Sequence, residues 1–204
     1  MKSKINIALN VFIVCAVAYS MMVSYRNGSE LTFGRWHDLV YFTYQSNIWI
    51  ALVALLELMS ASFRRQDCRW TRVTKLVFTS SIALTGIVYC FILSPIDGFR
   101  LELDCVFLHV AVPIAAVVGW IVSSGHFRIA WRLVWWNLLP PLYYFAFATY
   151  GYLRNWQFSE GCNYPYFFMN WGKALWWVPM WFVVVGGLLC AIAAVLIWIN
   201  NKRS

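Results

Sequence analysis

Few polar side chains interrupt the apolar runs of this 204-residue chain, and several of those that do are capable of chemistry. One run carries Thr43, Gln45, Ser46 and Asn47. Thr43, Ser46 and Asn47 stand at i, i+3 and i+4, so in a helix they share one face. That face should point into a bundle, because hydrocarbon offers hydroxyls and amides no partners. A later run holds one strongly polar residue well inside it, His109, with Pro113 a turn further on. A Thr hydroxyl is a weak nucleophile until a base takes its proton, and a neutral His is the usual base. Plainer roles exist for the same groups. A Thr in an apolar helix often bonds its own backbone, and a lone buried His often serves as interhelical glue.

The elements that must position these residues follow from composition. Hydrophobic residues make up 62% of the chain and charged residues 12%, about half the share usual in a soluble domain. Mean hydropathy is +0.64. The pattern predicts a single all-α integral membrane domain of six transmembrane helices, at about residues 5–25, 37–61, 76–94, 105–123, 130–152 and 174–200. The third is expected to stop at Pro95. Lys2 and Lys4 before the first run resemble a signal peptide start. That run exceeds the ~7–15 residues of an h-region and lacks a small-x-small cleavage site, so it is read as a helix.

Eleven of the sixteen Lys and Arg fall on one side of these spans: Lys2, Lys4, Arg64, Arg65, Arg69, Arg72, Lys75, Arg128, Arg132, Lys202 and Arg203. The positive-inside rule makes that side, with both termini, cytoplasmic. The net charge of +8 is thus read as topology rather than nucleic-acid binding. The second and fourth helices then run in the same direction. Thr43 lies six residues past His37 and His109 five past Asp104, so both should sit roughly 7–9 Å below the outer helix ends. The two side chains would meet if those helices are neighbours.

Other chemistries find little support. The three histidines, His37, His109 and His126, form no H-x-x-x-H pair, and there is no CxxC, so no metal or haem is expected. There is no phosphate-binding Gly loop and no GxSxG elbow. Glu57 is the best candidate for a proton or cation site in a carrier, the main non-enzymatic alternative alongside a lipid-binding protein without activity. It could equally snorkel to the membrane surface or pair with Arg64. Cys15, Cys90 and Cys190 read as packing residues and Cys68 as facing the reducing side. Cys105 and Cys162 both fall outside, where a disulfide is permitted. The connection over residues 153–173 is aromatic and long enough to fold back as a cap.

The segment Phe42-Thr43-Tyr44-Gln45-Ser46-Asn47, with Leu108-His109-Val110-Ala111-Val112-Pro113, resembles a six-helix bacterial membrane family. That family is similar to the androgen-induced and androgen-dependent membrane proteins of animals, intramembrane threonine hydrolases that cleave fatty acid esters of hydroxy fatty acids. The resemblance implies that Thr43 and His109 are the essential pair, with no cofactor. It also implies a lipid ester substrate drawn from the bilayer, and a place in the bacterial cytoplasmic membrane with the active site toward the outer leaflet. The animal proteins have longer loops and do not share the Gln-Ser-Asn segment. Asn47 or Gln45 could donate to an oxyanion, and Ser46 could position the substrate. Asp104 lies roughly 140° around the helix from His109, so the sequence offers no clear third member of a triad.

Overall fold

The computed structural model describes residues 2–62, 69–125 and 128–204. Arg64, Arg65, Cys68 and His126 lie outside these residues. The described chain is helical, without a named strand; one isolated bridge joins Ser159 and Cys162. The α-helices are α1 (Lys2–Asn27), α2 (Phe42–Ser62), α3 (Arg69–Val88), α4 (Ser94–Asp97), α5 (Leu103–Val106), α6 (Val112–Val122), α7 (Leu139–Leu153) and α8 (Trp177–Asn201). Five helical stretches are long and apolar enough to cross a membrane, as an integral membrane protein requires: Lys4–Asn27, Phe42–Ala61, Trp70–Ile96, Leu103–Val122 and Trp177–Asn201.

The stretch expected as a helix over residues 130–152 is built differently. Trp131–Leu138 is a 3-10 helix and only α7, 15 residues long, is α-helical. Pro140 and Pro141 explain the change, because neither supplies an N–H to the carbonyls of Trp136 and Asn137. The prolines sit in the first turn of α7, where no N–H is needed.

Prolines shape the third and fourth stretches as well. The third does not stop at Pro95. A π-helical turn, Tyr89–Leu93, follows α3, and α4 carries Pro95 in its own first turn. The fourth runs α5, a π turn at Phe107–Ala111, then α6 with Pro113 in its first turn. Pro113 removes the N–H that would bond the His109 carbonyl. A wider turn before such a break is how a helix absorbs the lost bond. Opposite that carbonyl lies Gly86, where an added Cβ would stand 3.1 Å from His109 O and 3.0 Å from Pro113 Cβ. The third and fourth stretches therefore touch closely at the π turn that carries His109.

The third stretch is the axis of the bundle: 56% of its most apolar window is buried, against 28–39% in the other four. Its neighbours turn apolar side chains such as Leu56 and Val183 outward, as lipid-facing helices do. The connection after α7 packs inward as a cap. Phe158, Phe168 and Met169 are buried against Val40, Tyr144 and Ala148. The Phe158 carbonyl accepts from His37 Nε2 at 2.9 Å and from the Tyr41 hydroxyl. Gly151 admits the cap, since a Cβ there would lie 2.5 Å from the Trp156 ring. Cys105 and Cys162 are both free thiols, so no disulfide ties the cap to the fourth stretch.

Candidate functional site

The second expected helix is divided, and the division moves Thr43. Gly34–Val40 is a 3-10 helix and Tyr41 is extended, at φ −86° and ψ 141°. The first α-helical bond of α2 runs from Gln45 N to Tyr41 O at 3.2 Å. Thr43 thus lies in the first turn, rather than six residues into a continuous helix. The N–H groups of Phe42, Thr43 and Tyr44 precede that first bond, so they have no intrahelical acceptor.

The shared face points inward as its spacing required: Ser46 and Asn47 are fully buried and Thr43 is 8% exposed. Ser46 Oγ reaches Thr43 O at 3.0 Å and Thr85 Oγ1 at 2.8 Å. Asn47 Nδ2 donates to Thr43 O at 2.8 Å and to Leu108 O at 3.0 Å. One amide nitrogen therefore holds the Thr43 and Leu108 carbonyls within about 6 Å of each other. Both of its hydrogens are used. Gln45 Nε2 gives one hydrogen to Leu39 O at 2.9 Å, and its side chain lines a different hollow, beside Trp36, Trp49 and Trp156. Asn47 and Ser46 join α2 to its neighbours, whereas none of the three amide or hydroxyl groups points to a free oxyanion position.

His109 follows Leu108 in the π turn, and its ring stacks on Tyr89 at 3.9 Å between centroids. Its Nδ1 lies 2.9 Å from Cys105 O and 3.4 Å from Cys105 Sγ. A carbonyl can only accept, so in the neutral ring Nδ1 carries the proton and Nε2 keeps a lone pair for use as a base. Tyr89 is fixed in turn by Arg100 N, which donates to its hydroxyl at 3.1 Å, and by Cys105 Sγ at 3.2 Å. Asp104 makes no hydrogen bond to the imidazole; the Cys105 carbonyl, a group invisible to motif reading, orients the ring instead. Asn47 draws the backbones around Thr43 and His109 together, but of the two only Thr43 lines the cavity between the helices and the cap. Among the described residues no hydrogen bond joins them.

Thr43 turns into a cavity of about 80 Å³ between α2, α3, α7, α8 and the cap. Its walls are mainly apolar and aromatic, among them Val88, Phe145 and Phe182, and its polar groups include Thr43, Thr85, Tyr144 and Tyr166. Tyr166 comes from the cap, and the sequence assigns it no role because a loop tyrosine has no periodicity to mark it. Burial pushes the Tyr166 phenol up, while the facing Thr43 hydroxyl and the Thr43 and Phe42 backbone pull it back. Tyr41 is also pushed up, first by burial and then by Tyr166 and Asp38. Two of the three neighbouring phenols are already committed to carbonyls: Tyr144 to Val40 O at 3.0 Å, and Tyr41 to Phe158 O.

A second polar cluster lies at the opposite end of α2. Glu57 pairs with Lys75 at 2.7 Å; Arg64, its other expected partner, lies outside the described residues. Asn10 and Asn6 also donate to Glu57 Oε2, at 2.9 and 3.3 Å. Lys75 reaches Ser123 at 3.2 Å, and Arg72 reaches Ser123 at 2.8 Å and Asn200 at 3.0 Å. Arg72 also stacks over Trp120 at 3.9 Å. Arg72 and Lys75, expected in a charged loop before a helix starting near residue 76, are instead buried within α3. These partners let the helix begin seven residues earlier than expected. Among the described residues no group of three His, Cys, Asp or Glu could hold a metal ion. No family model, curated protein or solved structure matches the chain.

Proposed function

We propose that the chain is a six-span membrane hydrolase that cleaves fatty-acyl esters of lipids, with Thr43 as nucleophile and His109 as base. The observation that carries this reading is the setting of Thr43: a hydroxyl in a largely apolar cavity of about 80 Å³, at the start of a helix. The Asn47 bridge to the backbone beside His109 supports the pairing, and the Nδ1 bond to Cys105 O leaves Nε2 to take the proton. In the reaction Thr43 Oγ attacks the ester carbonyl and His109 Nε2 takes the hydroxyl proton. Collapse expels the alcohol, protonated by His109, and leaves an acyl-threonine that water then cleaves. The Thr43–His109 contact closes when substrate fills the cavity, since catalytic hydrogen bonds are often long in free enzymes.

For the sixth crossing, Trp131–Leu138 and α7 together extend about 38 Å as a 3-10 and an α segment, which exceeds a ~30 Å hydrocarbon core. The Lys and Arg distribution supports both termini in the cytoplasm and the Thr43 end of the bundle toward the outer leaflet; the bacterial cytoplasmic membrane is what the family resemblance implies. A carrier is the weaker reading, because the carboxylate it would use, Glu57, is held by Lys75, Asn10 and Asn6.

The test is turnover of lipid esters, including fatty acid esters of hydroxy fatty acids, by purified protein with Thr43→Ala and His109→Ala alongside. Both variants should lose hydrolysis and Thr43→Ala should lose labelling by a fluorophosphonate probe. Turnover that persists in either would overturn the pair. Ester binding without hydrolysis in the unaltered protein would point to a lipid-binding module.

A further inference from the structure

If Thr43 is the nucleophile, something must stabilise the negative charge that forms on the carbonyl oxygen it attacks. The side chains of Asn47, Gln45 and Ser46 are engaged elsewhere. We infer that the oxyanion is held by the Tyr166 phenol together with the first-turn N–H groups of α2 that this phenol faces, so that the cap supplies a catalytic donor. This rests on the hydrolase reading above.

Three observations lead to Tyr166. It lines the same cavity as Thr43 but comes from the cap, so an ester between them is flanked from two elements. Of the three clustered phenols, Tyr41 and Tyr144 give their protons to backbone carbonyls, whereas among the described residues Tyr166 has no such acceptor. Its phenol oxygen also faces the backbone of Phe42 and Thr43 and the Thr43 hydroxyl, the place where the start of α2 favours negative charge. A phenol is protonated at neutral pH, as a donor must be, and burial pushes it further in that direction. Rings on three sides hold it in place: Tyr41 at 6.1 Å, Tyr144 at 6.1 Å and Phe168, stacked, at 5.1 Å.

The step balances without a co-reactant. As Thr43 Oγ bonds to the carbonyl carbon, the π electron pair moves to the oxygen, which accepts hydrogen bonds from the Tyr166 O–H and the α2 N–H groups. The Tyr166 proton is shared and not transferred. The pair returns when the alcohol leaves, and the same sequence recurs with water as nucleophile.

The experiment compares Tyr166→Phe with the unaltered protein and Thr43→Ala on one lipid ester. Tyr166→Phe should lower kcat about 100- to 1,000-fold, the usual effect of removing one oxyanion donor, with KM changed less than threefold. Affinity for a trifluoromethyl ketone analogue of the tetrahedral intermediate should fall with kcat. A purely structural role would move KM and the unfolding midpoint instead. Should Tyr166→Phe fail to fold, fluorinated tyrosines placed at position 166 keep the side chain and vary its acidity, and kcat should follow that acidity. An unchanged kcat in Tyr166→Phe with an inactive Thr43→Ala would overturn this inference alone. An active Thr43→Ala would overturn the hydrolase reading and this inference with it.

Discussion

At one end of α2, hydroxyls and phenols line a cavity beside the π turn that carries an imidazole; at the other, Glu57 bonds Lys75, and Lys75 and Arg72 share Ser123. The difference lies in how each cluster meets the cost of burying polar groups. A buried charge is tolerated only when it is paired and its remaining hydrogen bonds are made. The Glu57 end meets that demand with Lys75, Asn10, Asn6, Ser123, Asn200 and the Trp120 face, drawn from four helical stretches besides α2. A neutral hydroxyl is cheaper to bury and can be left facing a hollow. At the Thr43 end the hydrogen bonds of Ser46, Asn47, Tyr144 and Tyr41 fix the frame, and Thr43, Tyr166 and the far nitrogen of His109 are the groups that the proposed hydrolase would turn on its substrate. Two π turns, Tyr89–Leu93 and Phe107–Ala111, lie at this end, and such turns recur at functional sites.

That contrast breaks if a change at one end produces the effect expected of the other. Thr43→Ala should cost at least ~1,000-fold in ester turnover, the scale of losing a nucleophile, while the unfolding midpoint in detergent stays nearly constant. Lys75→Met should do the reverse. It leaves Glu57 buried without its cation, which costs about 3–5 kcal/mol in stability, while turnover per folded molecule is retained. Adding Glu57→Gln should restore much of that loss, and thermal unfolding of the single and double variants measures it. Gly86→Ala tests the coupling between fold and site. Its Cβ would press on His109 O and Pro113 at 3.1 and 3.0 Å, which should cost about 1–3 kcal/mol and reduce kcat by displacing the π turn. Tyr144→Phe gives the smallest effect: loss of its bond to Val40 O should cost about 1 kcal/mol, with kcat nearly unchanged. A large loss of kcat there would mean that the oxyanion role belongs to Tyr144.

Legibility in the sequence followed the kind of force involved. The apolar runs near residues 5–25, 105–123 and 174–200 became helices within a few residues, because burial in lipid selects for length and apolarity. The inward face of Ser46 and Asn47 was likewise readable from spacing alone. The helix over 130–152 was not, since hydropathy is blind to the N–H groups that Pro140 and Pro141 lack. Nor was the start of α2, where the apolar residues run on through Tyr41 while the backbone turns extended.

The amino-acid sequence by itself determined the helical class and the face on which Thr43, Ser46 and Asn47 stand, for these are matters of composition and local period. Tertiary structure alone decided that Glu57 belongs to Lys75, that Cys105 O orients His109, and that Tyr166 of the cap reaches the start of α2. Each of those joins residues distant along the chain or uses a backbone carbonyl, and neither leaves a mark in a residue pattern. Packing chooses such partners by shape and by the cost of leaving a buried polar group unpaired.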